Sequence, residues 1–397
     1  MLVLTAVLAG LSRQYKIVSR FTELAEGLKY SGHDLPGSYQ GWMKQLSKMG
    51  PAVLYNALEL LRPTMFKRCG ELWRINNWVP MAVDGSRFDL PHTQSNKDTH
   101  GTAGRVKCGP QIWVTLLTHL PTGLVWSWRQ GPSRDSEQNH LHQMLDDLPD
   151  NVLLIGDAGF ISYKLASKLN HLGKSFLLRI AGNKTLLTEI SHDKIEKSPI
   201  GTRIIYWPGK AIKDNQKPLT LRLIVVGSGA NKVYLVSNVL DSQKLSRKMA
   251  GEFYKQRWGI EVTYRSLKQL MARRKLRCGN GANAAVELAG NIMGFVVLAL
   301  MGLLILRRQA SKLSIAKALA CIRSSLESLR WGQVWQGFLT TFCCALKDPY
   351  NRGGPKRSGT YPEKKNQTPP SPPKIRPMTT KELQLFKKLK KRINKTG

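Results

Sequence analysis

Cysteine is scarce in this chain and does not occur in the pairs that bind metals. None of the 6 cysteines among 397 residues belongs to a Cys-x-x-Cys pair or to a Cys/His cluster at zinc-finger spacing. A thiolate zinc site and a disulfide framework are therefore not expected, and reduced thiols are typical of a cytosolic protein.

Two apolar segments could be mistaken for a membrane span or a targeting signal. The apolar run at residues 292–306 has 15 residues, fewer than the roughly 18 to 20 that a span requires. Residues 1–12 are apolar, but no basic segment precedes them and no A-x-A cleavage pattern follows. We expect both segments to be helices packed inside a protein that has no membrane partner. The alternatives are a signal-like segment at residues 1–12 and a membrane span at residues 292–306.

Acidic residues are few, which points to a polyanionic partner. Only 26 Asp and Glu oppose 61 Lys and Arg, and the net charge of +35 is spread along the chain. Nucleic acid is the first candidate for such a surface, although a ribosomal or chaperone-like binder would have the same charge. No GxxxxGK[ST] phosphate loop occurs, so ATP is not expected as a partner.

Apolar strand patterns alternate with helical ones in the first half of the chain. Strands are predicted at 78–83, 112–117, 123–128, 151–155 and 175–180, with helices at 137–148 and 163–172 and a loop at 91–109. The second and third strands form a hairpin, and Ser136 is the expected cap of the first helix. This order predicts an α/β fold with helices packed on a mixed sheet.

The whole chain divides by composition into five regions. They are a helical N-terminal layer (1–75), the α/β domain in two parts (76–181 and 246–310), a β-rich insertion (182–245), a helical region (311–346) and a basic tail (347–397). The N-terminal layer could bind DNA or act as a scaffold. With 15 basic and 3 acidic residues, the tail is expected to be flexible, with a short terminal helix.

Two acids follow predicted strands directly. Asp84 comes after the strand at 78–83 and precedes Gly85, and Asp157 comes after the strand at 151–155 between two glycines. In α/β folds, acids at the carboxyl ends of buried strands bind ligands or metals, although strands also turn at such residues. Each signal is weak when it is taken alone.

A single helix is predicted at 246–274, with a third acid, Glu261, on one face. Tyr254, Arg257 and Lys268 lie seven, four and seven positions from it, so at about 100° per residue all four share one stripe. The opposite face carries Phe253, Ile260 and Leu267, which can pack on a core. A carboxylate can hold a divalent cation, and Arg and Lys can hold phosphate oxygens. The alternative is a surface helix with i,i+4 ion pairs, Arg257 with Glu261 and Glu261 with Arg265.

Together, the three acids have the composition of a two-metal site. Asp84 and Asp157 on neighbouring strands, with Glu261 on a crossing helix, could hold two divalent cations about 3.5 to 4 Å apart. In-line displacement at phosphorus uses such a pair of cations.

At these residues the chain resembles bacterial DDE transposases of the insertion-sequence 4 branch. The signature of that branch is Tyr, two residues, Arg, three residues, Glu, six residues, Lys, and it is intact from Tyr254 to Lys268. Asp84 in VDGS and Asp157 in IGDAGF match the first two acids of the family, and the β-rich insertion matches as well. The resemblance covers roughly residues 78–306. It implies an RNase H-like sheet with flanking helices, interrupted by the insertion.

The resemblance also implies roles for individual residues. Asp84, Asp157 and Glu261 would be the catalytic, metal-binding triad, using two Mg²⁺ ions, for which Mn²⁺ could substitute. The residues expected to contact DNA are Tyr254, Arg257, Lys268, Arg179, Asn183 and Trp207. In some relatives an aromatic of the insertion stacks on a flipped base of a DNA hairpin, and Trp207 is the candidate here, with a buried core position as its alternative.

The implied activity is metal-dependent cleavage at the ends of an insertion sequence and transfer of the freed 3′-hydroxyl to target DNA. Double-stranded DNA and a second copy of the chain would be the partners, in the bacterial cytoplasm at the nucleoid. Two other functions fit the same residues. They are an RNase H-like nuclease without strand transfer and a catalytically inactive DNA-binding relative.

Overall fold

The structure is a computed structural model. It describes residues 2–30, 32–35, 37–102, 109–188, 201–229, 232–271, 273–306, 314–330, 338–345 and 371–396. Within these residues the α-helices are α1 (Leu2–Leu11), α2 (Ile17–Tyr30), α3 (Tyr39–Met49), α4 (Ala52–Cys69), α5 (Gln94–His100), α6 (Glu137–Gln143), α7 (Tyr163–His171), α8 (Gly209–Lys213), α9 (Arg247–Gln256), α10 (Gly259–Arg265), α11 (Gly281–Leu306), α12 (Ile315–Arg330), α13 (Phe338–Cys343) and α14 (Thr380–Thr396).

The strands are β1 (Val79–Asp89), β2 (Gln111–His119), β3 (Val125–Pro132), β4 (Val152–Gly156), β5 (Ser175–Arg179), β6 (Thr185–Thr188), β7 (Thr202–Tyr206), β8 (Leu219–Val226), β9 (Val233–Ser237) and β10 (Lys374–Pro377). Short 3₁₀ helices lie at Gly70–Trp73 and Leu145–Asp147, and a π-helix lies at Ser266–Leu270. Helices flanking a large mixed sheet confirm the predicted RNase H-like α/β class.

The chain forms two compact units. The first contains Met1–Asn76, Ala82–Asp147 and Gly259–Tyr350, and the second contains Asn77–Met81, Leu148–Trp258 and Asn351–Gly397. Strand β1 begins in the second unit and continues in the first.

In the first unit the strand order is β1-β2-β3, and the predicted hairpin is confirmed. β2 and β3 are antiparallel, with Thr115 opposite Arg129 and a bulge after Leu117. The turn between them contains Gly123 with φ 70°, a left-handed conformation that glycine adopts without a steric penalty.

The two apolar segments predicted to be packed helices are α1 and α11, and they pack on each other in the first unit. A Cβ on Gly10 of α1 would lie 2.5 Å from the carbonyl oxygen of Gly290, so the absence of a side chain lets the two backbones touch. In the described part of the chain, α11 is the one helix long and apolar enough to cross a membrane. Within its apolar segment, Gly281–Leu303, 78% of the most apolar window is buried inside the protein.

In the second unit the strand order is β10-β6-β7-β8-β9-β5-β4-β1. β4 and β5 are parallel, with Leu154 opposite Phe176, and β9 pairs antiparallel to β5, with Val236 opposite Leu178. The predicted β-rich insertion therefore extends the sheet from β5 instead of forming a sheet of its own. This pairing satisfies the backbone donors and acceptors that an edge strand would leave exposed.

Three local predictions were wrong. The loop expected at 91–109 contains α5, because the Thr93 hydroxyl caps the helix by accepting from the Asn96 N–H at 3.3 Å. Helix α6 ends at Gln143 instead of residue 148, and Ser136 makes no side-chain cap. In the tail, α14 is the predicted terminal helix, and its Phe386 is buried. Strand β10 is an additional element that pairs parallel with β6. The rest of the predicted tail, residues 347–370, lies outside the described residues.

Candidate active site

Asp84 lies inside β1, not at its end. The strand was predicted to stop at residue 83, but it continues to Asp89 because its backbone finds further partners there: the Leu276 N–H donates to the Asp89 oxygen at 2.8 Å. The first five residues of β1 are buried and Asp84 is half-buried. Its carboxylate accepts the N–H of Gly85 at 2.9 Å. The strand therefore presents this carboxylate at the border between core and solvent.

Tyr264, three residues after Glu261, connects α10 to β1 and β2. Its hydroxyl donates to the backbone oxygen of Asp84 at 2.8 Å and accepts the Leu116 N–H at 3.2 Å. Burial raises the pKa of this phenol well above its usual range, and the nearby Asp84 and Glu137 raise it further. The hydroxyl thus stays protonated and fixes the backbone at Asp84. No sequence pattern singled out Tyr264.

A fourth acid lies beside Asp84 in the first unit. The side chain of Glu137, at the start of α6, packs against Gly85: a Cβ on residue 85 would lie 2.5 Å from Glu137 Oε1. Glycine at position 85 therefore makes room for this carboxylate. The sequence showed Glu137 only as the first residue of a helix, and 52 residues separate it from its neighbour.

Glu261 is half-buried in the first turn of α10, and Lys268 lies in the π-helix that follows. The Lys268 ammonium donates to the Ser86 hydroxyl at 2.6 Å and lies 5.0 Å from the Phe88 ring centroid. Burial lowers the pKa of Lys268. The charge of Asp89 raises this pKa, and the charge of Arg274 lowers it. Lys268 therefore lies against the strand that carries Asp84, two residues beyond that acid.

In the second unit, Asp157 follows the last residue of β4, as predicted. Its side chain is 45% exposed, and one carboxylate oxygen accepts the Ala158 N–H at 2.7 Å. The same oxygen lies 3.4 Å from the Tyr254 hydroxyl and 3.9 Å from Arg179 Nη1. Burial raises the pKa of Tyr254, and the charge of Asp157 raises it further. The guanidinium carbon of Arg257 lies 5.6 Å from the Tyr254 ring centroid.

The single helix predicted at 246–274 is interrupted. Helix α9 ends at Gln256 and α10 begins at Gly259. The Trp258 N–H bonds three residues back, to Lys255, as in a tightened last turn, and Gly259 is a poor helix former. The inference that Tyr254, Arg257, Glu261 and Lys268 share one helical stripe was therefore wrong. The buried side was correct, because Phe253, Ile260 and Leu267 are all in the core.

The two units divide the predicted site residues between them. The first holds Asp84, Glu261 and Lys268, and the second holds Asp157, Tyr254, Arg257, Arg179, Asn183 and Trp207. Among the described residues, no group of three or more His, Cys, Asp or Glu side chains could hold a metal ion.

Asn183 and Trp207 occupy contrasting positions in the second unit. Asn183 is exposed in the turn before β6. Trp207 is 2% exposed, packs with Leu187 and Phe386, and its indole N–H donates to the Gln216 oxygen at 2.9 Å. The core position stated as the alternative for Trp207 is what the structure contains. Base stacking would require the ring to leave this cluster, and that role stays a prediction.

The chain spans about half of the length, or less, of three curated relatives that it matches. It is 25% identical over 236 residues to the transposase InsG for insertion sequence element IS4 of Escherichia coli (strain K12). The aligned residues are 53% of this chain and 50% of InsG. It is 28% identical over 121 residues to the putative transposase InsZ of the same organism, which is 29% of this chain and 40% of InsZ. It is 20% identical over 192 residues to the putative transposase for insertion sequence element IS4SA of Synechocystis sp., which is 47% of this chain and 51% of that protein.

Among solved structures, the fold is similar to the piggyBac transposase in its synaptic complex with hairpin DNA. The TM-score is 0.40 at 15% identity, over 75% of this chain and 66% of that chain. Residues 79–295 match the family described as Transposase DDE domain, and this segment includes Asp84, Asp157 and the signature from Tyr254 to Lys268. Because the match spans more than half of the sequence, this chain belongs to the transposase DDE domain family, in the insertion-sequence 4 branch that the signature predicted.

Proposed function

We propose that this chain is the transposase of an insertion sequence, which cleaves DNA at the ends of its element and joins the freed 3′-hydroxyls to target DNA. The observation that carries the proposal is the family match over residues 79–295, which contains all three predicted acids and the whole helical signature. The net charge of +35 supports DNA as the substrate.

We assign the catalytic role to Asp84, Asp157 and Glu261. Each is half-buried, at the border between core and solvent, where a carboxylate can meet a ligand. Asp84 is supported by the Tyr264 hydroxyl at its backbone, and Asp157 by the backbone N–H of Ala158. Both acids therefore have a fixed position before any substrate binds.

Carboxylate oxygens are the donors that Mg²⁺ prefers, and Mn²⁺ accepts the same ligands, so each of the three acids has the chemistry of a ligand for a divalent cation. Two such ions, held by Asp84, Asp157 and Glu261, would supply charge stabilisation at the phosphoryl oxygens and an acidified attacking water. Glu137 beside Gly85 is a further oxygen donor close to Asp84.

The cationic residues would hold the phosphates next to these acids. Arg179 lies 3.9 Å from Asp157, and Arg257 lies beside Tyr254, so a phosphodiester approaching Asp157 meets two guanidinium groups and a phenol. Lys268, anchored at Ser86, would do the same near Asp84. Asn183 is exposed and free to contact a strand, while Trp207 would have to leave its core cluster to do so.

The proposed partners follow from the reaction. Transposition requires two element ends to be held together, so we expect a dimer or a higher assembly on double-stranded DNA, at the bacterial nucleoid. Phosphodiester exchange conserves the bond energy, and ATP is not needed for it.

The test is a cleavage assay with purified protein on a labelled duplex that carries the element's own end, with and without Mg²⁺. We expect metal-dependent nicking at the end, reduced by about 100-fold or more in Glu261→Gln. Glu252→Gln, the same change at an exposed position of α9, is the matched control and should keep full activity.

The outcomes separate the three functions. Nicking followed by joining to a target plasmid supports the transposase, and nicking without joining indicates a nuclease. DNA binding with no cleavage in the parent protein, on the correct end sequence, would leave the inactive binder. Equal cleavage by Glu261→Gln and Glu252→Gln would overturn the assignment of the acid.

A further inference from the structure

The second unit contains a large open groove that none of the predicted site residues lines. Its volume is about 980 Å³, and it runs between helix α7 on one side and the segment from Tyr206 to Lys217 on the other. Lys184, which precedes β6, also lines the groove.

The lining of the groove is strongly cationic. Five lysines and a single aspartate, Asp214, line it, which is a formal charge of +4. On α7, Lys164 and Lys168 are four residues apart and therefore lie one above the other on one helical face. Lys210 and Lys217 line the opposite wall. All four of these lysine side chains are exposed. Their ammonium groups can therefore bind an anion at the surface, with a small desolvation free energy.

The segment that carries Lys210 and Lys217 is anchored by hydrogen bonds and by packing on the core. The indole N–H of Trp207 donates to the Gln216 oxygen at 2.9 Å, and the Tyr163 hydroxyl donates to the Lys217 oxygen. Ala211, between the two lysines, packs in the same buried cluster as Trp207 and Phe386. The backbone of this segment is therefore fixed on the core, and both rows of lysines are presented at a set separation.

We propose that this groove binds the phosphodiester backbone of duplex DNA, as a surface additional to the triad and its neighbours. Two rows of cations on a rigid frame suit the regularly spaced phosphates of a duplex. Tyr206 is 3% exposed and so is not available for stacking on bases, and the Tyr163 hydroxyl is bonded to the opposite wall. Binding here is therefore independent of base sequence, as lysine contacts to phosphate are. The inference rests on the proposed function only in taking DNA as the polyanion.

The test measures how DNA affinity depends on salt in the full chain carrying Lys164→Gln and Lys168→Gln. The probe is a duplex about three helical turns long, of a sequence unrelated to any element end. Each phosphate contact contributes about 0.9 to the slope of log Kd against log salt, so the double variant should lower that slope by about 1.8. Lys210→Gln with Lys217→Gln, on the opposite wall, should have a similar effect.

The matched control is Lys213→Gln with Lys244→Gln, which removes the same charge from two exposed positions of the second unit that do not line the groove. An unchanged slope in both groove variants overturns the proposal. So does an equal fall in the control, which would indicate net charge alone, or tighter binding of a single strand than of the duplex. A wild-type protein that binds no DNA refutes it as well.

The cleavage assay on element ends is independent of this result. If the groove variants lose slope while the wild-type protein cleaves nothing, the groove stands and the proposed catalytic function fails. If cleavage is metal-dependent but the slope does not change, the proposed function stands and the groove proposal fails.

Discussion

Replacing Tyr264 with Phe tests whether the backbone at Asp84 is fixed by one buried hydroxyl. The Tyr264 side chain is 6% exposed, and its hydroxyl bonds to Asp84 and Leu116 at 2.8 and 3.2 Å. The hydroxyl also lies 3.2 Å from the Val114 oxygen. Phenylalanine keeps the ring and its apolar burial, so the variant removes only the hydrogen bonds of the hydroxyl.

The expected cost follows from what the variant leaves behind. The Leu116 N–H lies on a strand residue that is 0% exposed, so water cannot replace the lost acceptor. A buried group left unsatisfied costs about 1 to 3 kcal/mol. That free energy corresponds to a roughly 5- to 150-fold change in the local opening equilibrium.

Hydrogen exchange followed by mass spectrometry measures this opening directly. In Tyr264→Phe, the amides of β1 and β2 around Asp84 and Leu116 should exchange faster by about that factor, because the hydroxyl closes both strands onto α10. The matched control is Tyr254→Phe, whose half-buried hydroxyl lies 3.4 Å from Asp157 and should contribute less than about 0.5 kcal/mol to the strands near it.

Two results would refute the reasoning. One is unchanged exchange of β1 and β2 in Tyr264→Phe, which would mean that the hydroxyl bonds are not what holds Asp84. The other is an equal acceleration in both tyrosine variants, which would mean that any loss of a phenol loosens the protein.

Two further predictions concern buried charged and titratable groups of the first unit. Glu287→Gln should lower the free energy of unfolding of the first unit by about 3 to 5 kcal/mol in denaturant unfolding, because the buried charge on Arg20 would lose its anionic partner. Arg20 Nη1 and Glu287 Oε1 lie 2.9 Å apart, and the two side chains are 2% and 4% exposed. A loss below about 1 kcal/mol, typical of exposed pairs, would contradict this. Burial lowers the pKa of His119 from 6.5 to about 4, so below pH 6.5 the unfolded chain binds more protons than the folded chain, and stability should fall as the pH drops from 6.5 towards 4. A pH series of unfolding midpoints should be flatter over this range in His119→Gln than in the wild type. Identical profiles would show that His119 does not contribute.

Much of the fold could be predicted because its signals are local. The strands β2 to β5, the hairpin and helix α7 follow from alternating or continuous apolar patterns bounded by turn residues. Two strands departed from the sequence-based prediction because a long-range partner decided the structure. β1 continues past Asp84 because Leu276, far along the chain, bonds to Asp89, and β10 forms because it pairs with β6.

The residues around Asp84 show why part of the candidate site could not be predicted. Tyr264 lies 180 positions from Asp84, and Glu137 lies 52 positions from Gly85, so no local pattern relates them. In the sequence, Tyr264 is an aromatic in an amphipathic helix and Glu137 is an acid after a potential cap. Both patterns also occur in helices that have no role near an active site.

The interruption between α9 and α10 changes how the signature from Tyr254 to Lys268 is to be understood. On one continuous helix, a spacing of seven residues would place all its polar side chains around Glu261. In the structure, Tyr254 lies 3.4 Å from Asp157 and Lys268 lies 2.6 Å from Ser86, next but one to Asp84. Each half of the signature therefore lies near a different aspartate. Periodicity alone could not reveal this, because it groups residues correctly only while the helix is unbroken.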